Sequence, residues 1–218
     1  MARLARVVVP GLPHHIVQRG VRRMDVFFSD SDRAEYLKHL SDQGNRFGVK
    51  YLAWCLMTNH VHLIAIPAQE LSLARAVGEA HRRYTRYVNS REGCRGYLFQ
   101  GRFHSFPLEK AYLLSAVRYV LRNPVRAGIV KRVWDYRWSS AKWFVGENPE
   151  DPLAVSSDML ADVSSRRSFL LCEEDSCTDF RKHARTGRPL GSESFLLHLE
   201  QLTGRTLRTQ KRGPKPAS

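Results

Sequence analysis

Nowhere do the 218 residues approach the run of about 20 apolar residues that a membrane-spanning helix needs. The apolar part of Met1 to Pro10 is likewise too short for the core of a signal peptide. Cysteine is scarce. Cys55, Cys94, Cys172 and Cys177 include one Cys-x4-Cys spacing and no second pair, so neither a zinc module nor a disulfide framework is written here, and reduced thiols are expected. No glycine-rich phosphate loop and no internal repeat occurs, which excludes a nucleotide cofactor bound in the usual way. Acid is also short, with 21 Asp and Glu against 35 Lys and Arg, a net charge of +14 and a pI of 10.1. Such an excess is matched to a polyanion, because Lys and Arg that neutralise phosphates release bound counterions. No basic amphipathic anchor is visible, so nucleic acid is favoured over a membrane surface. An apolar fraction of 43% fits an ordinary globular protein. The chain reads as soluble and cytoplasmic, with no membrane partner.

What is present begins with a basic, turn-rich entry ending at Pro10-Gly11-Leu12-Pro13. His15 to Gly20 reads as a strand. Asp30 to Phe47 is a helix, opened by the capping run Ser29-Asp30-Ser31-Asp32 and carrying Ala34, Tyr36, Leu37 and Leu40 at helical spacing. Val49 to Met57 and His60 to Ile66 form a hairpin around Thr58-Asn59. Leu71 to Asn89 is a long helix with Arg82, Arg83 and Arg86 between its apolar positions, available for phosphates. Arg102 to Pro107 is a fourth strand, and Tyr112 to Pro124 a helix stopped by its proline. The order strand, helix, strand, strand, helix, strand predicts a ferredoxin-like α+β sandwich with an antiparallel sheet and the tyrosine-bearing helix over it.

The chemistry centres on Thr58-Asn59-His60-Val61-His62-Leu63-Ile64. Alternation along a strand puts His60 and His62 on one face and Val61, Leu63 and Ala65 on the other, so the two imidazoles are placed to share a metal. Of His14 and His15, at most one can join that face; packing or a nucleic-acid contact is the simpler role of either. Catalytic metal sites usually take about three protein ligands. The best third candidate is Asn123, one helical turn from Tyr119, so a nucleophile and an amide oxygen ride together. Asn123 also has a plainer role as the cap that ends the helix before Pro124.

Three blocks carry a resemblance: Pro13-His14-His15-Ile16-Val17-Gln18-Arg19-Gly20, Met57 to Ile64, and Tyr119-Val120-Leu121-Arg122-Asn123-Pro124-Val125-Arg126-Ala127-Gly128. Together, over residues 1 to about 145, they resemble a REP-associated tyrosine transposase. That is a branch of the single-tyrosine HUH transposases, in which U is a hydrophobic residue. The resemblance implies a ferredoxin-like fold and attack by Tyr119 on a phosphodiester of single-stranded or hairpin DNA, giving a 5′-phosphotyrosine and a free 3′-hydroxyl. Mg²⁺ or Mn²⁺ would be held by His60, His62 and Asn123, the protein working as a monomer or homodimer in a bacterial nucleoid. A phenol has a reference pKa near 10 and needs such help to attack at neutral pH.

Aromatics interleave with cations in Tyr97-Leu98-Phe99-Gln100-Gly101-Arg102-Phe103, a pattern suited to stacking bases while guanidinium groups hold the backbone. DNA contacts are expected from Arg19, Arg82, Arg83, Arg86, Arg95, Arg102, Arg122 and Arg126, with Lys211, Arg212 and Lys215 in a basic tail similar to a minor-groove hook. Asn148-Pro149-Glu150-Asp151-Pro152 is the clearest linker. It divides a catalytic unit, residues 1–147, from a small helical extension, 153–203, and a tail, 204–218. Two alternatives stay open. A non-catalytic RNA-binding module is hinted at by Arg95-Gly96-Tyr97-Leu98-Phe99, although Leu98, Gln100 and Arg102 then depart from that motif. A metal hydrolase would use water, with Tyr119 only binding.

Overall fold

The structure, a computed structural model, describes residues 5–160, 165–172 and 177–208. Its centre is a four-stranded antiparallel sheet of β1 (His14–Arg19), β2 (Val49–Met57), β3 (His60–Pro67) and β4 (His104–Pro107), in the order β2-β3-β1-β4. That order, with α1 (Asp30–Phe47) after β1 and α2 (Ser72–Arg91) after β3, is the ferredoxin-like α+β sandwich expected from the sequence. The fourth strand starts two residues later than expected, at His104, and the aromatic-cationic run before it is loop rather than strand.

Local signals explain the element ends. Ser29 accepts from the Asp32 backbone while Asp32 reaches back to Ser29, a capping box, and Gly48 ends α1 in the left-handed region at φ 65°. Asp32 is buried and paired with Arg91 of α2, so one carboxylate both caps the first helix and ties it to the second. Burial disfavours the charge on this carboxyl, but the Arg91 bond and the backbone N–H groups of Phe28 and Ser29 outweigh it and hold the pKa below the usual range. Asp32→Ala is therefore expected to cost about 2 kcal/mol, by leaving the two backbone donors of the cap without their acceptor and cutting the tie to Arg91, which keeps Glu92 as partner. The folded-state pKa is depressed, so this stability is present above the unfolded value of about 3.9 and is lost as pH falls below it. Urea melts of both proteins from pH 7 down to pH 3 should show the gap narrowing only at the acid end.

The two faces of the sheet are packed differently. On one, α1 and α2 lie over Ile16, Tyr51, Trp54, Leu56, Val61, Leu63 and Ala65. On the other, α3 (Leu113–Leu121) crosses β2 and β3 and packs on Leu52, Ala53, Cys55, Met57 and Ile64. The expected single helix to Pro124 is instead two pieces. The α3 helix ends at Leu121, and the single turn α4 (Asn123–Arg126) takes Pro124 in its first turn, where a missing N–H costs nothing. The open edge of β2 is covered by residues 138–155, with Leu56 N–H donating to Trp138 O, Ser140 N–H to Trp54 O and Val155 N–H to Tyr51 O. Within that stretch lies the turn α5 (Ala141–Phe144), and Tyr136 donates its hydroxyl to Leu56 O.

Beyond it, α6 (Arg166–Leu171) is tied to Arg122, which donates to the carbonyls of Leu170 and Leu171. Helix α7 (Cys177–Thr186) lies against β1 and β4 on the α3 side, and Leu190 continues along β4 by bonds to Pro107 and Glu109. Helix α8 (Glu193–Thr203) buries Leu199 on Val7, Val9 and Leu207. Among the described residues no helix is long and apolar enough to cross a membrane.

Candidate active site on the covered sheet face

Parity along β3 sends His60, His62 and Ile64 toward α3 and Val61, Leu63 and Ala65 toward α1 and α2. The two imidazoles sit edge to face with centroids 5.1 Å apart. Antiparallel pairing sets Val17 opposite His62 and Arg19 opposite His60, so His15 of β1 reaches the same face. Its Nε2 shares a 2.9 Å hydrogen bond with His62 Nδ1. His15 is thus the one of the two adjacent histidines that joins the site, while His14 is buried in another setting, with Nδ1 at Leu12 O and Nε2 accepting from Val9 N–H. Nothing in strand alternation alone distinguishes them.

Tyr119 of α3 lies over this cluster, edge-on to His15 at 5.6 Å and to His62 at 5.8 Å between centroids. The guanidinium of Arg126 sits 4.2 Å above its ring and donates to Tyr119 O at 2.6 Å, pinning the end of α3. From the other side Phe180 of α7 packs against Tyr119 at 4.9 Å. Asn123 turns its amide N–H back to the carbonyls of Tyr119 and Val120, the helix-capping role, which orients its other end away from that turn.

The donor set suits a divalent ion. Asn59 donates its amide to Arg23 O, so its oxygen faces His60 and accepts from His60 Nδ1 at 2.6 Å, leaving His60 Nε2 with a bare lone pair. His62 engages His15 through Nδ1, which leaves its Nε2 as the second ring nitrogen to offer. Both rings are held neutral at neutral pH, the form that ligates metals. Burial, then Arg19, lowers His60 to about 4; burial, then His15 and His60, holds His62 well below the usual imidazole value. Cys55, opposite His62 in β2, is buried, and burial pushes its thiol up, away from the thiolate that would select zinc. His15, His60 and His62 share this face, but among the described residues no three His, Cys, Asp or Glu side chains are placed to hold a metal ion together, so a third protein donor would come from another residue type, such as the Asn123 amide.

Beside Tyr119 opens a cleft of about 670 Å³, at the seam where α3 covers β2 and β3 and α7 covers β1 and β4. Arg19, Arg23, Arg181 and Arg185 line it together with Gln100, Gly101, His104 and His62. The other expected DNA contacts are dispersed. Arg82 and Arg83 pair with Glu79 on α2, in the layer across the sheet, and Arg86 is exposed on the same helix. Arg95 and Arg102 are exposed in the loop that leads to the cleft, Arg122 is engaged with α6, and Arg126 is at the tyrosine. Lys211, Arg212 and Lys215 lie outside the described residues. Sequence reasoning misses Arg23, Arg181, Arg185 and Phe180. For Arg23 the available signal is its place just after the first strand; for the α7 residues there is none.

The fold is thus a ferredoxin-like sandwich with a histidine pair on its helix-covered face and a tyrosine packed onto it. The chain belongs to the IS200-like transposase family, whose model matches residues 8–123. Among solved structures it is similar to a REP-associated tyrosine transposase bound to a REP hairpin, with 19% identity and a TM-score of 0.58, covering 76% of this chain and 96% of that one. A transposase from Deinococcus radiodurans R1 also matches, at 19% identity over 59% of this chain and 92% of the other, with a TM-score of 0.38. No curated protein matches the sequence.

Proposed function

We propose that this chain is a single-tyrosine transposase of the REP-associated type, which cleaves and rejoins single-stranded DNA at the foot of a hairpin through a 5′-phosphotyrosine. The observation that carries this reading is the packing of Tyr119 onto the neutral His15–His62 pair of its own chain, at the wall of a cleft that presents four arginines. Tyr119 supplies the nucleophilic oxygen. The phosphorus–oxygen bond to the tyrosine replaces the one broken, and the leaving 3′-oxygen departs as a hydroxyl, so the ester bond energy is kept and no nucleotide is consumed. His60, His62 and the Asn123 amide oxygen would hold Mg²⁺ or Mn²⁺, which when bound neutralises charge on the phosphate and on the leaving oxygen. Asn59 fixes the ring and tautomer of His60, and Arg126 holds the Tyr119 ring against the histidines. The packing of the tyrosine on histidines of its own chain supports a site assembled within one subunit.

A base-binding RNA module needs aromatics on an open sheet face. Here α3 and α7 cover that face, and the aromatic-cationic run of residues 97–103 is loop, which supports the enzymatic reading instead.

The test is a 3′-labelled DNA hairpin with single-stranded flanks, incubated with the protein and Mn²⁺ and resolved on a denaturing protein gel. A covalent protein–DNA band that disappears with a chelator is expected. Cleavage without that band would point to water as the nucleophile, and retention without cleavage to a binding module.

A further inference from the structure

The family match ends at residue 123, yet part of the cleft wall comes from α7, more than fifty residues later. Its Phe180 is buried against Tyr119, with His15 also in contact at 6.1 Å, and this anchor fixes the helix on the β1–β4 half of the face. Arg181 and Arg185 are exposed and four apart, hence on one side of the helix, and both line the cleft.

Arg19 and Arg23 reach the same cleft from the end of β1 and the loop after it. That loop is strained, because Arg22 and Arg23 have φ values of 53° and 63°, left-handed backbone that costs a side-chain-bearing residue on the order of 1–2 kcal/mol. Its geometry is imposed by neighbours. A Cβ at Gly20 would collide with the Met24 carbonyl, Val21 N–H donates to Leu98 O, and Asn59, the residue that orients His60, holds Arg23 O. Strain that the surroundings enforce next to a reactive centre marks a side chain being placed.

Among the described residues no carboxylate lines this cleft and none of the four arginines forms an ion pair. Their charges are felt by one another: burial first, then Arg23 and Arg181, lowers the Arg19 guanidinium pKa. Like charges converging on one cavity destabilise the free protein and favour a bound polyanion. At about 670 Å³ the space is that of a small-ligand pocket, which fits a nucleotide or two and no duplex.

We propose that Arg23, Arg181 and Arg185, with Arg19, form a phosphate clamp for the single-stranded DNA flank on either side of the scissile bond, so that α7, outside the family-matched region, is part of the substrate site. This deepens, and rests on, the transposase reading above. The arginines bind successive phosphates of one strand and thereby hold the reacting ester at Tyr119. They are positioning residues and take no part in bond breaking.

The test measures fluorescence anisotropy of two DNA hairpins, one blunt and one with short single-stranded extensions, over a range of salt concentrations. For Arg181→Ala/Arg185→Ala, binding of the extended hairpin is expected to weaken roughly tenfold to a hundredfold. The slope of log affinity against log salt should fall by about 1.4, or about 0.7 for each single-strand phosphate no longer neutralised. Blunt-hairpin affinity should stay within about twofold, since both arginines bind phosphates of the flank that the blunt hairpin does not have. The charge-preserving Arg181→Lys/Arg185→Lys should keep most of the slope. Lys182→Ala, on the same helix outside the cleft, should change neither quantity. A wild-type slope in the alanine variant, or an equal loss on both hairpins, would overturn the clamp. If instead the wild-type protein failed to bind the extended hairpin or to form its adduct, the transposase reading itself would fall.

Discussion

Tyr119→Phe is expected to bind hairpin DNA as tightly as the wild-type protein and to form no covalent adduct with it. The ring, not the hydroxyl, makes the visible packing: Phe180, His15, His62 and the Arg126 guanidinium all contact its faces and edges. Phenylalanine keeps those contacts, so stability should stay within about 1 kcal/mol, as volume-conserving changes usually do. Losing the only nucleophilic atom proposed should reduce cleavage by at least about 10⁴-fold, the scale seen when a covalent nucleophile is removed. The denaturing gel and an anisotropy titration check both halves. An adduct that persisted would move the nucleophile elsewhere, with the partly exposed Tyr112 at the start of α3 next to be tested.

The second large effect is expected at the histidines. His62→Ala should lower cleavage about 10³-fold or more, because the several kcal/mol that a bound divalent ion contributes to charge stabilisation are lost. DNA affinity should change less than about threefold, since it rests on the arginines and phosphates. Direct Mn²⁺ binding, followed by electron paramagnetic resonance without DNA, should disappear. His62 is buried and bonded to His15, so its removal also strands a buried ring nitrogen and should cost about 2 kcal/mol of stability. His60 is partly exposed and bonded to the turn residue Asn59, so His60→Ala should show the same loss of metal and cleavage with a smaller stability cost. Mn²⁺ binding at wild-type strength in either variant would remove that residue from the metal site.

Local chemistry accounts for much of what is legible in the sequence. The start of α1 follows from the Ser29 and Asp32 capping box and its end from Gly48, and the β2–β3 hairpin from Thr58-Asn59 between two apolar runs. A proline usually stops a helix, so the pattern from Tyr112 to Pro124 reads as one continuous rod. Proline is also at home in a first turn, and the chain uses it to restart. The arginines of α2 are candidates for phosphate contact on exposure and charge alone. Their layer, across the sheet from the tyrosine, is set by the crossover after β3, which a helix's own pattern does not disclose.

What the chain determined by itself was therefore everything with a short period: strand alternation that puts His60 beside His62, helical spacing that puts Asn123 one turn from Tyr119, and a charge balance that calls for a polyanion. Only the tertiary structure decided that His15 rather than His14 meets His62, that α7 returns to lay Phe180 on Tyr119, and that Arg23, Arg181 and Arg185 share one cleft. The reason is that side-chain direction is fixed within a few residues of backbone, whereas these meetings depend on inter-strand register and on where a helix more than fifty residues downstream finds uncovered apolar surface.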